Sequence, residues 1–295
     1  MRRDLGCRKS VTAATSDDRP GLAVGLICTA TLCFAIMAGC IKLLATDLPH
    51  AQTVWGRCFF HALLFAILFP RNLPHLLKSQ RIDLQIVRST LVFGATVTAF
   101  LAIRYLPLAD IAAISFVGPL IVVGLARVFL DEQVSARRWV AVCIGFGGVL
   151  IILRPGFGTL HWAVFLPLVM ATCYAAYQII TRRVRGLASP LTTLFYTALV
   201  GTVASSMWVP FVWQTPSATQ WLLMIASGLF GGAGHLAIIK AYESAPVSVA
   251  GPFVYSELLW AIGIGYWLFG DLPDLMTLVG AAVLIATGIY LLRSR

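Results

Sequence analysis

Charge is what this 295-residue chain most conspicuously lacks: 12% of its residues are Asp, Glu, Lys or Arg, while 59% are apolar. A soluble domain carries about twice that share of charge. No soluble core could bury so much apolar surface, so lipid must be the solvent. The seven cysteines (Cys7, Cys28, Cys33, Cys40, Cys58, Cys143, Cys173) form no CxxC pair and fall mostly within apolar runs. They read as small packing residues and not as a redox or metal centre. The five histidines show no ligand spacing, so no metal is expected. Also missing are a Walker motif, HExxH, GxSxG and paired carboxylates at a membrane face, which leaves no sequence support for nucleotide-driven transport or catalysis. No catalytic residue and no cofactor are expected. The net charge of +10 punctuates apolar runs instead of gathering on one polar arm, so no nucleic-acid partner is expected. Leu5-Gly6-Cys7 has the outline of a lipoprotein cleavage site, but no apolar stretch precedes it and no signal peptide is expected.

What the chain does have is apolar runs in series. Leu108 to Leu130 and Trp139 to Leu153 are separated only by the charged turn from Asp131 to Arg138, the pattern of a membrane hairpin. The first arm, about 23 residues at roughly 1.5 Å each, crosses a hydrocarbon core of about 30 Å; the shorter second arm needs Arg138 and Arg154 to reach the interfaces. Ten spans are expected: Gly21 to Leu44, Thr53 to Phe69, Leu84 to Ile103, Leu108 to Leu130, Trp139 to Leu153, His161 to Ile180, Leu191 to Val212, Trp221 to Tyr242, Val247 to Gly270 and Leu275 to Leu292. Residues 1–19 form a polar tail.

Short cytoplasmic loops retain Lys and Arg. With the N-terminus inside, most of the 22 basic residues fall on the inner side, among them Arg71, Lys78, Arg81, Arg88, Arg137, Arg138, Arg182 and Arg183. Lys42, Arg104 and Arg154 lie outside; Arg57 and Arg127 lie within spans. Both termini are therefore expected to be cytoplasmic. A shift of about 140 residues superposes the halves: Cys33-Phe34-Ala35 falls on Cys173-Tyr174-Ala175, Lys42 on Arg182, Asp131 on Asp271 and Gly148 on Gly288. Five spans is an odd number, so the second copy enters the membrane upside down. The expected fold class is an all-α polytopic membrane protein of ten transmembrane helices in two inverted-topology repeats, residues 20–156 and 157–295.

The hairpin resembles the EamA domain of the drug/metabolite transporter superfamily. The residues that carry the likeness are LAIRYLPLADIAAI, Pro119, Asp131-Glu132, Ser135, Arg137-Arg138-Trp139, Gly145, Gly147, Gly148 and Arg154-Pro155-Gly156, with a looser copy from Phe253 to Leu292. Ala141, Asp271 and Leu258-Leu259 depart from the family's usual Gly, Glu and Pro. The resemblance extends to the bacterial metabolite exporters, with YddG-type amino-acid exporters as its narrowest form. It implies a secondary transporter with a central cavity between the repeats.

Counting from the span edges places Phe34, Met37, Thr98, Ser115, Phe116, Tyr174, Tyr177, His235, Tyr255, Ser256, Glu257 and Trp260 near the midplane. Tyr174, Tyr177, Gln178 and Thr181 share one helical face, either lining a cavity or bonding between helices. Glu257 is the one acid placed deep in an expected span, and a carboxylate there costs at least about 2.5 kcal/mol. It reads as a solute-amine contact or proton-coupling site, or else as a structural partner of His235 or a tyrosine. Arg57 is expected to snorkel and to be structural, and Lys42 to be interfacial. Pro119, Pro167 and Pro252 mark hinges or packing irregularities, and Gly228 with Gly232 and Ala141 with Gly145 mark close helix approaches.

The expected function is transport of a small metabolite, most plausibly an amino acid and in particular an aromatic one, across a bacterial inner membrane by alternating access. The partners are the solute and membrane lipid; no oligomeric state is readable. Efflux of toxic organic cations or of another metabolite is the alternative, with an intramembrane enzyme or a non-transporting membrane protein more remote.

Overall fold

The computed structural model describes residues 19–70, 81–129, 135–153, 161–183, 189–244 and 251–293. Apolar runs become helices because lipid offers backbone N–H and C=O groups no partner, and a helix satisfies them within the segment. The helices are α1 (Pro20–Leu44), α2 (His50–Leu68), α3 (Ile82–Ile103), α4 (Leu108–Ser115), α5 (Gly118–Phe129), α6 (Ala136–Leu153), α7 (Phe165–Arg183), α8 (Pro190–Trp208), α9 (Ala218–Ser244), α10 (Ser256–Phe269) and α11 (Leu275–Arg293). Seven stretches, with α4 and α5 taken as one, are long and apolar enough to cross a membrane; the apolar parts of α6, α10 and α11 are shorter. The acidic turn Asp131-Glu132 and the closing Arg154-Pro155-Gly156 lie outside the described residues.

Two spans differ from expectation, both at a break. Leu108 to Leu130 is not one helix: α4 ends at Ser115 and α5 starts at Gly118. Pro119 lacks the N–H that would bond the Ser115 carbonyl, and its ring would clash there. The chain tightens instead into i to i+3 bonds, with Phe116 N donating to Ala113 O and Leu120 N to Val117 O. Within Val247 to Gly270, described from Gly251, the winding also changes. A 3-10 turn, Gly251–Tyr255, carries Pro252, and α10 begins only at Ser256. The repeat offset of 140 places Tyr255 on Ser115 and Ser256 on Phe116, so both fourth spans break at the same repeat position. The breaks meet, with Phe116 and Tyr255 packed edge to face at 4.9 Å.

Small residues set the closest approaches. A Cβ at Gly228 would press on Phe60 and the His61 backbone of α2, and one at Gly231 or Gly234 would press on Met37 or Phe34 of α1. Gly148 of α6 and Gly280 of α11 meet backbone to backbone, and Gly145 takes Leu120. Pairings fix the helix directions. Arg19 N donates to Ser244 O, which sets α1 against α9 antiparallel. Phe60 and Leu64 beside Gly228 and Gly232 set α2 parallel to α9. Trp55 donates to Ser206 and Phe65 packs on Phe195, opposing α2 and α8. Arg88 reaches Thr181 of α7 and Thr193 of α8, and Gly94 meets Cys173. In consequence α1 and α7, the first long helices of the two matched halves, run in opposite directions.

The exterior is apolar. Trp208, Phe211 and Trp267 are 69%, 83% and 83% exposed, and Leu22, Ile67, Val128 and Leu275 are also exposed. Trp55, Trp162, Trp208, Trp213, Trp221 and Trp267 gather at the end where α1 finishes, as an aromatic belt does at an interface. At that same end Gly270, with φ +72°, caps α10: its N–H donates to Tyr266 O, and Asp271 N donates to Gly265 O. This Schellman turn aims Asp271 at Lys42 of α1, which forms an ion pair with it and lies 4.5 Å over the Phe269 ring. Lys42, expected at the interface, lies at that end of the bundle and is ion-paired there to the turn that follows α10.

Candidate solute-binding site

The expected midplane residues fall into two groups on either side of the bundle, and a third set spends its polar atoms locally. On the first side, Phe34 packs edge to face on His235 at 5.0 Å, and Met37 lies over Gly231. The ring of Tyr177 sits 4.9 Å from the Arg88 guanidinium, with Tyr174 tilted against it at 5.3 Å. On the second side, Phe116 meets Tyr255, the Ser256 hydroxyl lies 2.8 Å from that of Thr31, and Tyr255 rests against Gly288. Glu257 sits in the first turn of α10, half-buried, in no ion pair or hydrogen bond among the described residues. Trp260 is half-buried, and its Nε1 has no hydrogen-bond partner among the described residues.

Thr98 and Ser115 are not gathered with these groups. Thr98 Oγ1 donates to Gly94 O at 2.9 Å and Ser115 Oγ to Ile111 O at 2.5 Å, each within its own helix. Gln178 is exposed. His235 does not meet Glu257; its neighbours are Phe34, His61 and Arg57.

The structure adds five residues that the sequence reading missed or placed elsewhere. Arg57 does not snorkel: it is 6% exposed, and its Nη2 donates to His235 Nε2 at 3.4 Å. Arg88, assigned above to the inner face, lies in the second turn of α3 with no exposure. It donates to Thr193 O at 2.5 Å and to Thr197 Oγ1 at 2.7 Å, joining α3 to α8, while Tyr177 joins it to α7. Gln85 and Ser89 flank it on the same face, both fully buried, and His61 stands one turn below Arg57, stacked on His235 at 5.8 Å. The signal was present: Arg57 with His61 at i+4, and Gln85, Arg88 and Ser89 at i, i+3 and i+4, sit inside apolar runs. An ionisable residue there is functional by default. Inserting each arginine costs about 2.5–3.5 kcal/mol, which hydrogen bonds and the aromatic face offset only in part.

Two apolar grooves are present among the described residues. One, of about 350 Å³, separates α6 and α11 near Val140, Ile144 and Tyr290; the other, of about 280 Å³, lies beside His61 between α2, α8 and α9. Apolar lining of this kind faces acyl chains.

This arrangement of broken helices between two matched halves defines a membrane transporter, and the comparisons with known proteins agree. The EamA-like transporter family matches residues 21–154 and again 161–294, and the chain belongs to that family. It is 27% identical to an S-adenosylmethionine uptake transporter of Rickettsia conorii over 256 residues, 86% of each chain. It is 32% identical to a riboflavin transporter of Vibrio cholerae over 174 residues, 59% of this chain and 58% of that one. A pseudopaline exporter of Pseudomonas aeruginosa is 23% identical over 269 residues, 90% of this chain and 94% of that one. A crystal structure 15% identical in sequence superposes with a TM-score of 0.59 over 90% of this chain and 94% of its own, which shows a shared fold. The protein is a multi-pass membrane transporter of small metabolites.

Proposed function

We propose that the protein is a secondary transporter of the bacterial inner membrane, built as ten spans in two inverted five-span repeats, 20–156 and 157–295, with both termini cytoplasmic. Its solute pocket lies between the halves, walled by Phe34, Met37, Tyr174, Tyr177 and His235 on one side and by Phe116, Tyr255, Ser256, Glu257 and Trp260 on the other. The observation that carries this reading is the pair of fourth-span breaks meeting at Phe116 and Tyr255, since discontinuous helices at a repeat interface expose the backbone groups that bind solute. The opposed directions of α1 and α7 support the inversion, and the excess of Lys and Arg on one side in the sequence supports the orientation.

The proposed cargo is a small zwitterion, an amino acid in the first instance. An amine would meet Glu257, and an aromatic side chain would lie against Phe34, Phe116 or Trp260. Relatives named for uptake and for export share this architecture, as expected if gradients set the direction of flux. Lys42 with Asp271 closes one face. Breaking of that latch opens the face in the alternating-access cycle.

Reconstitution into liposomes with labelled amino acids, S-adenosylmethionine and riboflavin, with and without a pH gradient, tests the reading. Saturable exchange of at least one zwitterion is expected. Absence of solute-dependent exchange across the panel would end it, and preference for organic cations lacking a carboxylate would favour the efflux alternative.

A further inference from the structure

We propose that Arg57 and Arg88, with Gln85, Ser89, His61 and His235, form an anion subsite of the transport pocket that takes a carboxylate of the solute. The proposal rests on the transporter reading above and assigns the carboxylate of the cargo to named residues.

Three observations carry it. First, the cluster has cations and no counter-ion. Among the described residues the ion pairs are Lys42 with Asp271 and Arg81 with Asp83, and neither buried arginine belongs to one. A buried charge without a partner is costly, so a protein that keeps two of them in one place keeps them for something that arrives. Second, the two arginines enter from opposite ends of the bundle. Arg57 stands about two turns into α2 and Arg88 about two turns into α3, which runs the other way, so each comes toward the middle of the bundle from its own face. Third, polar atoms are left over. Arg57 Nε, Arg88 Nε, both amide atoms of Gln85 and Ser89 Oγ are buried without hydrogen-bond partners among the described residues. Native interiors leave few such groups.

The chemistry of the leftover donors selects the anion. The Arg88 Nη atoms are committed to Thr181, Thr193 and Thr197, and Arg57 Nη2 to His235. The Nε–H of each guanidinium is left over and Arg57 has Nη–H donors to spare, a set of charged donors that suits a carboxylate, with Gln85 and Ser89 to complete the shell. Because Arg57 can only donate, His235 Nε2 accepts, which places the imidazole proton on Nδ1 and adds no third charge. Gly231 keeps the flank of Arg57 open: a Cβ there would sit 3.4 Å from Nε, the free donor.

The test uses the purified full chain in lipid nanodiscs, with benzoate as probe and benzamide as its neutral counterpart, at constant ionic strength. Benzoate should raise the melting temperature saturably and benzamide should not. Arg57→Gln should weaken the benzoate response roughly tenfold or more without lowering the melting temperature of the unliganded protein, and Arg57→Lys should keep part of it. Arg88 also ties three helices together, so Gln85→Ala replaces Arg88→Gln if the latter fails to fold, and the same loss is expected. A benzoate-selective shift that these variants abolish supports the subsite whether or not any solute in the liposome panel is exchanged. Equal shifts from benzoate and benzamide, or a benzoate shift that survives in Arg57→Gln and Gln85→Ala, would overturn it even where transport is intact.

Discussion

The two walls of the pocket differ in how their charges are held. Arg88 is built in: guanidinium, threonines and tyrosine tie α3 to α7 and α8, with no exposure. Glu257 is left alone, half-buried at the start of a helix that follows a break, tied to no other described residue. A charge fixed by several helices serves as a positioned binding group, whereas an untethered acid beside a break is free to change partner or protonation as the helices move. On the proposed reading, recognition falls to the arginine wall and coupling to the glutamate wall.

The sharpest way to break that contrast is Arg88→Gln. Losing charge-assisted hydrogen bonds costs about 1.5–3 kcal/mol each, so exchange in liposomes should fall roughly 10- to 100-fold and the melting temperature should drop with it. Glu257→Gln should lower exchange about tenfold and flatten its response to a pH gradient, with the melting temperature unchanged or raised because a buried charge is removed. A full pH response in that variant would leave Glu257 as a solute contact only. Gly280→Ala and Gly228→Ala act on packing alone. Each should cost about 1–3 kcal/mol of stability, read by thermal unfolding, without altering which solutes compete. The smallest effect is expected from Asp271→Asn. The ion pair with Lys42 is partly exposed and contributes at most about 1 kcal/mol to stability. Thiol labelling of Thr46→Cys at that face should nonetheless rise, since the latch acts on the balance between two states.

Much of this was legible in the sequence. Apolar runs marked the helices because lipid enforces helices wherever backbone is buried in it, and the matched halves were visible as an offset of about 140 residues. The acid Glu257, the proline breaks and the aromatic midplane set were visible for the same reason: each is rare in a span. What stayed hidden was tertiary. Arg88 read as an inner-face residue because it lies near a span edge, and its partners Thr193 and Thr197 are 105 and 109 residues away. The ion pair of Lys42 was hidden because Asp271 is 229 residues away. Thr98 and Ser115 lay at the right depth, but depth does not tell whether a hydroxyl faces a pocket or bonds back to its own helix. Span 9 read as continuous because a 3-10 turn and an α-helix share the same apolar composition.

The measurement that tests the zwitterion pocket most directly is competition during exchange of whichever labelled amino acid the liposomes carry. Its competitors are the intact amino acid, its amide, which lacks the carboxylate, and its desamino acid, which lacks the amine. A pocket with opposite charges on its two walls predicts that both partial ligands compete about tenfold less well, that Arg57→Gln abolishes the penalty for the amide, and that Glu257→Gln abolishes the penalty for the desamino acid. Equal competition by all three in the unmodified protein would contradict it.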